Sequence, residues 1–244
     1  MAGDPDLATT ERILEALSES GADAIELGVP YSDPLADGPT IAAAGQRALA
    51  SGVMLGAVLE LVRRCRGGTA PLVLFTYYNP VYQYGVDRFA SEAAAAGLAG
   101  AIVPDLALEE SEELRNALGS AGLSMPLLVA PSTPAERARR IAAAATGFVY
   151  VVSRLGVTGA GSAPDFGPLR TQLSSLRELT DKPLAVGFGI SRPDDVANVV
   201  GLADAVVVGS ALIDAYAGTD AREAPARVAR VAAALVKACR LPAI

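Results

Sequence analysis

Three observations predict an α/β fold of the (β/α)8 TIM-barrel type. Short apolar runs, Gly/Pro/Asp loops and amphipathic helical patterns follow one another roughly every 25–30 residues, the rhythm of βα units. The apolar runs are hydrophobic on both parities, as strands covered on both faces of a parallel sheet are. The length of 244 residues with 51% hydrophobic content suits one α/β barrel. No Gly/Ser-rich or Pro-rich linker divides the chain, so 1–244 reads as a single domain.

Only Met1-Ala2-Gly3 precedes the loop Asp4-Pro5-Asp6, so the chain reads as starting inside the end of its own first strand, which is largely missing. Helix 7–20 carries Ile13, Leu14 and Leu17 on one face, and strand 23–28 follows. Helix 39–50 has Pro39 in its first turn, where proline is tolerated, and helix 53–66 comes next. Strand 71–77 leads into the tyrosine-rich stretch YNPVYQYG, read as a surface loop, and then helix 86–97. Strand 100–104 ends at Asp105, ahead of helix 109–121, whose leading acidic residues suit a helix N-terminus. Strand 126–130 is followed by helix 134–145, and strand 147–153 by the loop RLGVTGAGSAPD and a helix over 165–180. Strand 183–188, helix 192–201, strand 204–208, a short helix from Ser210 and a terminal helix over 223–239 complete the series.

Composition narrows the chemistry. The formal net charge is −7 and Lys and Arg form no cluster, which argues against nucleic acid or an anionic membrane as a partner. Small phosphorylated substrates stay open, because backbone amides can hold phosphate. The N-terminus MAGDPDLATTER has no signal-peptide pattern and no apolar run is long enough to span a bilayer, so the expected location is the cytoplasm. Cys65 and Cys239 are far apart and give no metal-ligand spacing. There is no histidine, which removes Ser-His-Asp and Cys-His catalysis and nearly every zinc site, and no metal is expected. Neither Lys182 nor Lys237 falls at the C-terminal end of a strand, where a Schiff-base lysine would act. What remains is a phosphate-anchored substrate whose C–C or C–H bond is handled by carboxylates.

The stretch Asp23 to Thr40, DAIELGVPYSDPLADGPT, carries the most informative residues. Glu26 lies in an apolar strand, on the opposite parity to Ile25 and Leu27. A buried lone carboxylate costs several kcal/mol unless something uses or pairs it. It is either a functional group or the partner of an arginine inside the barrel. Asp33 and Asp37 lie in the following loop, where they serve chemistry or simply shape a turn or cap a helix. Asp105 poses the same choice. Tyr150 faces inward if Phe148 and Val152 do, as ordinary packing or as a site wall. Three glycine-bearing loops, 156–162, 187–189 and 209–210, follow the last three strands and suit a phosphate cradle, or else plain βα turns. Tyr77, Tyr78, Tyr82 and Tyr84 make an aromatic loop, either bland surface or a partner contact.

At ELGVPYSDPLADGPT, Glu26 to Thr40, the sequence closely resembles the signature of the tryptophan synthase α-subunit family. The similarity continues through PDLALEE, Ser153 to Gly159, Gly187-Phe188-Gly189-Ile190-Ser191 and Val208-Gly209-Ser210, and so covers essentially the whole chain. The resemblance implies retro-aldol cleavage of indole-3-glycerol phosphate to indole and glyceraldehyde 3-phosphate. It implies that Glu26 delivers a proton to C3 of the indole ring and that Asp37 accepts the ring N–H. By the same analogy Tyr150 neighbours Glu26, and Phe188 and Phe75 wall the pocket. Gly159, Gly189, Gly209 and Ser210 hold phosphate, and Thr158 helps close the site. Pro30, Asp33, Tyr77 and Asn79 belong to the surface that meets a β subunit in an αββα heterotetramer. The resemblance implies no cofactor in this chain, and pyridoxal phosphate only in the β partner.

Two departures carry expectations of their own. Ala107 stands where the family has proline, on a partner-facing loop. The short start leaves out the segment that closes the sheet in the family. An unclosed barrel exposes strand edges, so a chain of this length is expected to be unstable or weakly active. Two other functional readings compete: a catalytically weak barrel that docks on and activates a β partner, and another phosphate-binding barrel enzyme.

Overall fold

The computed structural model describes residues 1–153, 166–187 and 189–240. Its strands are all parallel. β1 (Ile25–Gly28), β2 (Leu72–Phe75) and β3 (Gly100–Ile102) form one ladder, with Glu26 opposite Val73 and Val73 opposite Gly100. β4 (Leu127–Val129), β5 (Val149–Val152), β6 (Leu184–Gly187) and β7 (Ala205–Val206) form the next, with Leu128, Tyr150 and Ala185 in register. Ser124 stitches the two together: its N–H reaches the Ala99 carbonyl at 2.9 Å and its carbonyl accepts the Ala101 N–H at 2.9 Å. At the other edge the Ala2 N–H donates to the Gly28 carbonyl at 2.8 Å. The three N-terminal residues therefore sit where the end of a strand preceding β1 belongs.

Between β7 and that Ala2 segment no backbone hydrogen bond is formed among the described residues. Helices span this seam instead. α1 (Leu7–Glu19) packs on α11 (Ala224–Cys239), with Arg12 donating to the Ala221 carbonyl at 3.3 Å and Ser20 to that of Ala229 at 3.4 Å. α10 (Ser210–Tyr216) reaches across with the Tyr216 hydroxyl, which donates to the buried Asp4 carboxylate at 3.1 Å. Arg47 of α2 (Pro39–Ala50) grips the same carboxylate with two bonds of 2.8 Å.

The remaining helices are α3 (Leu55–Cys65), α4 (Tyr78–Tyr84), α5 (Val86–Ala96), α6 (Glu112–Ser120), α7 (Ala135–Ala144), α8 (Gly167–Arg177) and α9 (Pro193–Ala197). Alternation along each strand divides the apolar residues between two cores. Ile25, Leu27, Leu72, Leu74, Val149, Val151, Leu184 and Val186 pack outward against the helices. Val73, Ile102 and Tyr150, with Phe75, Phe148 and Val152 against them, fill the barrel interior. Each fully buried Leu of the outer core contributes roughly 1.5–3 kcal/mol. None of the described helices is long and apolar enough to cross a membrane.

Three sequence expectations need correction. The YNPVYQYG stretch is helical over Tyr78–Tyr84, not a loop. Its first turn is capped from outside, by the Asp105 carboxylate, which accepts the Tyr78 N–H at 3.0 and 3.2 Å. The helix expected over 192–201 ends at Ala197, because the chain turns back to form an isolated bridge between Val200 and Ala203. The strands are shorter than their apolar runs, most of all β7, since flanking residues such as Tyr77 and Val103 are buried without joining a ladder.

Candidate active site

Glu26 is held on β1 by the ladder to β2, opposite Val73, whose side chain lies in the barrel interior. Its neighbours Ile25 and Leu27 are buried in the outer core, so the pleat turns the carboxylate inward. Among the described residues it makes no hydrogen bond, and burial alone pushes its carboxyl up to about 8. Desolvation disfavours the charged form of a carboxyl.

Tyr150 shares the barrel interior with Glu26. It is 3% exposed on β5, and its phenol is raised well above the ordinary tyrosine value by burial and then by the Glu26 charge. Phe148 stands 6.4 Å from it, ring to ring, and Phe75 lines the same interior. β6 makes room for the phenol with a glycine: a Cβ on Gly187 would lie 2.1 Å from the Tyr150 hydroxyl oxygen. Two residues on, Gly189 holds φ +97°, the left-handed region that side chains rarely adopt.

Asp37 sits in the loop between β1 and α2. It does not cap that helix; Gly38 does, without a side-chain bond, and Pro39 opens the first turn. Its carboxyl is half-buried and raised by that burial, an effect opposed by the Tyr77 hydroxyl. Tyr77, 2% exposed at the end of β2, accepts the Ala36 N–H at 3.0 Å and lies against Asp37. The Thr40 hydroxyl donates to Asp214 at 3.1 Å, which ties the start of α2 to α10. Gly209 and Ser210 form the start of α10, where no side chain caps the free N–H groups. Gly189 and the Gly209–Ser210 pair follow β6 and β7, at the same strand ends that Asp37 follows on β1.

Thr158, Gly159 and Phe188 lie outside the described residues. Of the four residues expected at a partner surface, Asp33 and Asn79 are exposed, whereas Pro30 and Tyr77 are buried and can shape such a surface only from beneath. Asp105 acts as the α4 cap already described. Lys182 is fully occupied away from the barrel mouth, its Nζ donating to the carbonyls of Ala142, Ala143 and Ala145 at 2.7–2.9 Å. Sequence reasoning missed the Tyr77 bridge and the Asp4 cluster. Their partners lie 41 to 212 residues away, so no local pattern announces them.

Comparison with known proteins agrees with this geometry. Residues 1–240 match the tryptophan synthase alpha chain family. The tryptophan synthase alpha chain of Picosynechococcus sp. is 54% identical over 225 residues, covering 90% of this chain and 84% of its own. That of Gloeobacter violaceus is 50% identical over 239 residues, covering 97% and 86%. Among solved structures, Mycobacterium tuberculosis tryptophan synthase superposes with a TM-score of 0.90 at 38% identity, over 99% of this chain and 90% of that one. The alpha subunit from Legionella pneumophila gives 0.86 at 36%, over 98% and 89%. With its (β/α)8 architecture and an inward strand carboxylate at the barrel mouth, the chain belongs to the tryptophan synthase alpha chain family.

Proposed function

We propose that Glu26 and Asp37 divide between them the lyase chemistry of this chain, the cleavage of indole-3-glycerol phosphate to indole and glyceraldehyde 3-phosphate. The observation that carries the assignment is the Glu26 carboxyl, turned into the barrel and pushed up to about 8 by burial. At neutral pH such a group holds its proton and can still release it, as a general acid must.

The Glu26 proton goes to C3 of the indole ring, and positive charge develops on the ring nitrogen. Asp37, ionised, accepts the ring N–H and stabilises that charge. The Glu26 carboxylate left behind then takes the proton of the adjacent glycerol hydroxyl. The C–C bond breaks, its electrons return to the ring, and indole and the aldehyde leave with Glu26 reprotonated. Phe75 and Tyr150 wall the ring. The N–H groups around Gly189, Gly209 and Ser210 receive the phosphate, with Gly159 and Thr158 completing the cradle and Phe188 the pocket. Released indole passes to a β subunit, whose pyridoxal phosphate supplies the chemistry that joins it to serine. Asp33 and Asn79 belong to the surface that meets this partner.

Glu26→Gln tests the assignment, because the amide keeps the shape and cannot transfer a proton. With the β subunit in excess, indole release should fall by about 10²–10⁴-fold while KM for indole-3-glycerol phosphate stays within a few-fold. Unchanged release would refute the role of Glu26 and favour a docking subunit.

A further inference from the structure

We propose that Tyr77 is a positioning residue for this reaction: its buried hydroxyl accepts the Ala36 N–H and gives its own proton to Asp37, so that the carboxylate is held ionised and aimed before substrate arrives. The inference rests on the role proposed for Asp37. A phenol has one proton and two lone pairs. The 3.0 Å bond from Ala36 uses a lone pair, which frees the proton for the acceptor alongside. An ionised carboxylate offers about four acceptor sites. One bond to Tyr77 therefore leaves it able to receive an indole N–H.

The tyrosine is itself fixed, as a positioning residue must be. Its side chain is 2% exposed, and the Tyr31 ring lies 5.1 Å away at 31°. The backbone immediately after it is pinned by Asp105, which accepts the Tyr78 N–H at 3.0 Å. Tyr77 thus joins a rigid strand end to a loop that has no ladder of its own. In that loop the oxygen that accepts the Ala36 N–H is also the one that lowers the Asp37 carboxyl. The titratable groups that face this pair are Asp105 from the loop after β3, the Met1 amino group, and Tyr31 from the same loop as Asp37. The hydroxyl opposes the burial that raises the Asp37 carboxyl, so its loss moves that carboxyl further up.

Tyr77→Phe keeps the ring and removes only the hydroxyl. Indole release by the complex with β subunit is followed against pH for the unaltered chain, Tyr77→Phe and Asp37→Asn, with thermal unfolding of each as a check on folding. The expected result for Tyr77→Phe is a kcat lower by about tenfold with KM within about twofold, as for loss of one hydrogen bond to a charged group. The acid limb of the profile should move to higher pH while the alkaline limb, set by Glu26, stays in place. A tenfold loss equal at every pH would make Tyr77 a structural residue and overturn the proposal, as would an unchanged rate. Wild-type turnover in Asp37→Asn would overturn the role of Asp37 and the proposal together. An inactive Asp37→Asn beside a fully active Tyr77→Phe would overturn the proposal alone.

Discussion

At the scale of single residues, the chemistry proposed for this chain depends on one carboxyl being costly to ionise. Glu26 has an ordinary value of 4.5 and a folded-state value of about 8. Between those limits the folded chain binds more protons at this site than the unfolded chain does. Stability contributed by the protonated form is therefore full below about pH 4.5 and is lost as pH rises toward about 8. The unfolding free energy of Glu26→Gln should fall less over this window than that of the unaltered chain, and the variant should be the more stable of the two at pH 8. Denaturant titrations at intervals of pH measure this, and parallel curves would show that Glu26 is not desolvated. The inward turn of Glu26 was legible from parity alone, since Ile25 and Leu27 had to face the helices. The size of its shift was not, because desolvation is set by Tyr150 and the other walls, contributed by strands of other βα units.

At the scale of elements, periodicity located most helices and strands to within a few residues. α2 runs over Pro39–Ala50 as its first-turn proline and apolar face require, and α1 buries Ile13, Leu14 and Leu17. α4 escaped because four tyrosines and a proline within eight residues read as a loop, and isolated helices this short are not stable by propensity. Its cap comes from another βα unit. Replacing Asp105 with Ala removes the acceptor of the Tyr78 N–H and should cost about 1 kcal/mol, measured by urea unfolding. No change in midpoint would mean that water replaces the carboxylate at no cost. The same change should lower turnover through Tyr77, which stands between that cap and the loop of Asp37.

At the scale of the whole molecule, the ring is completed by side chains at the place where the ladder stops. Asp4 is 2% exposed and receives two bonds from Arg47 and one from Tyr216, so the first loop, α2 and α10 share one carboxylate. Asp4→Ala leaves Arg47 to solvent but strands the buried Tyr216 hydroxyl. It should lower stability by about 1–3 kcal/mol. Tyr216→Phe combined with it should recover part of that loss, because the stranded donor is gone. A loss in the double variant as great as in the single one would show that the seam does not depend on this pairing.

The sequence by itself determined the class of fold and the carboxylates at issue, because these follow from local periodicity and parity, and its motifs carried the resemblance to the family. It also removed whole classes of catalyst, through the missing histidines and two misplaced lysines. Only the tertiary structure decided that Asp37 leaves the helix cap to Gly38, that Tyr77 is buried beneath the loop of Asp37, and that Asp105 caps α4. Only the tertiary structure, again, set Tyr150 against Gly187. All but the first are contacts between different βα units, made by the geometry of the barrel. The energy of such a contact depends on burial and alignment, which no single stretch of chain encodes.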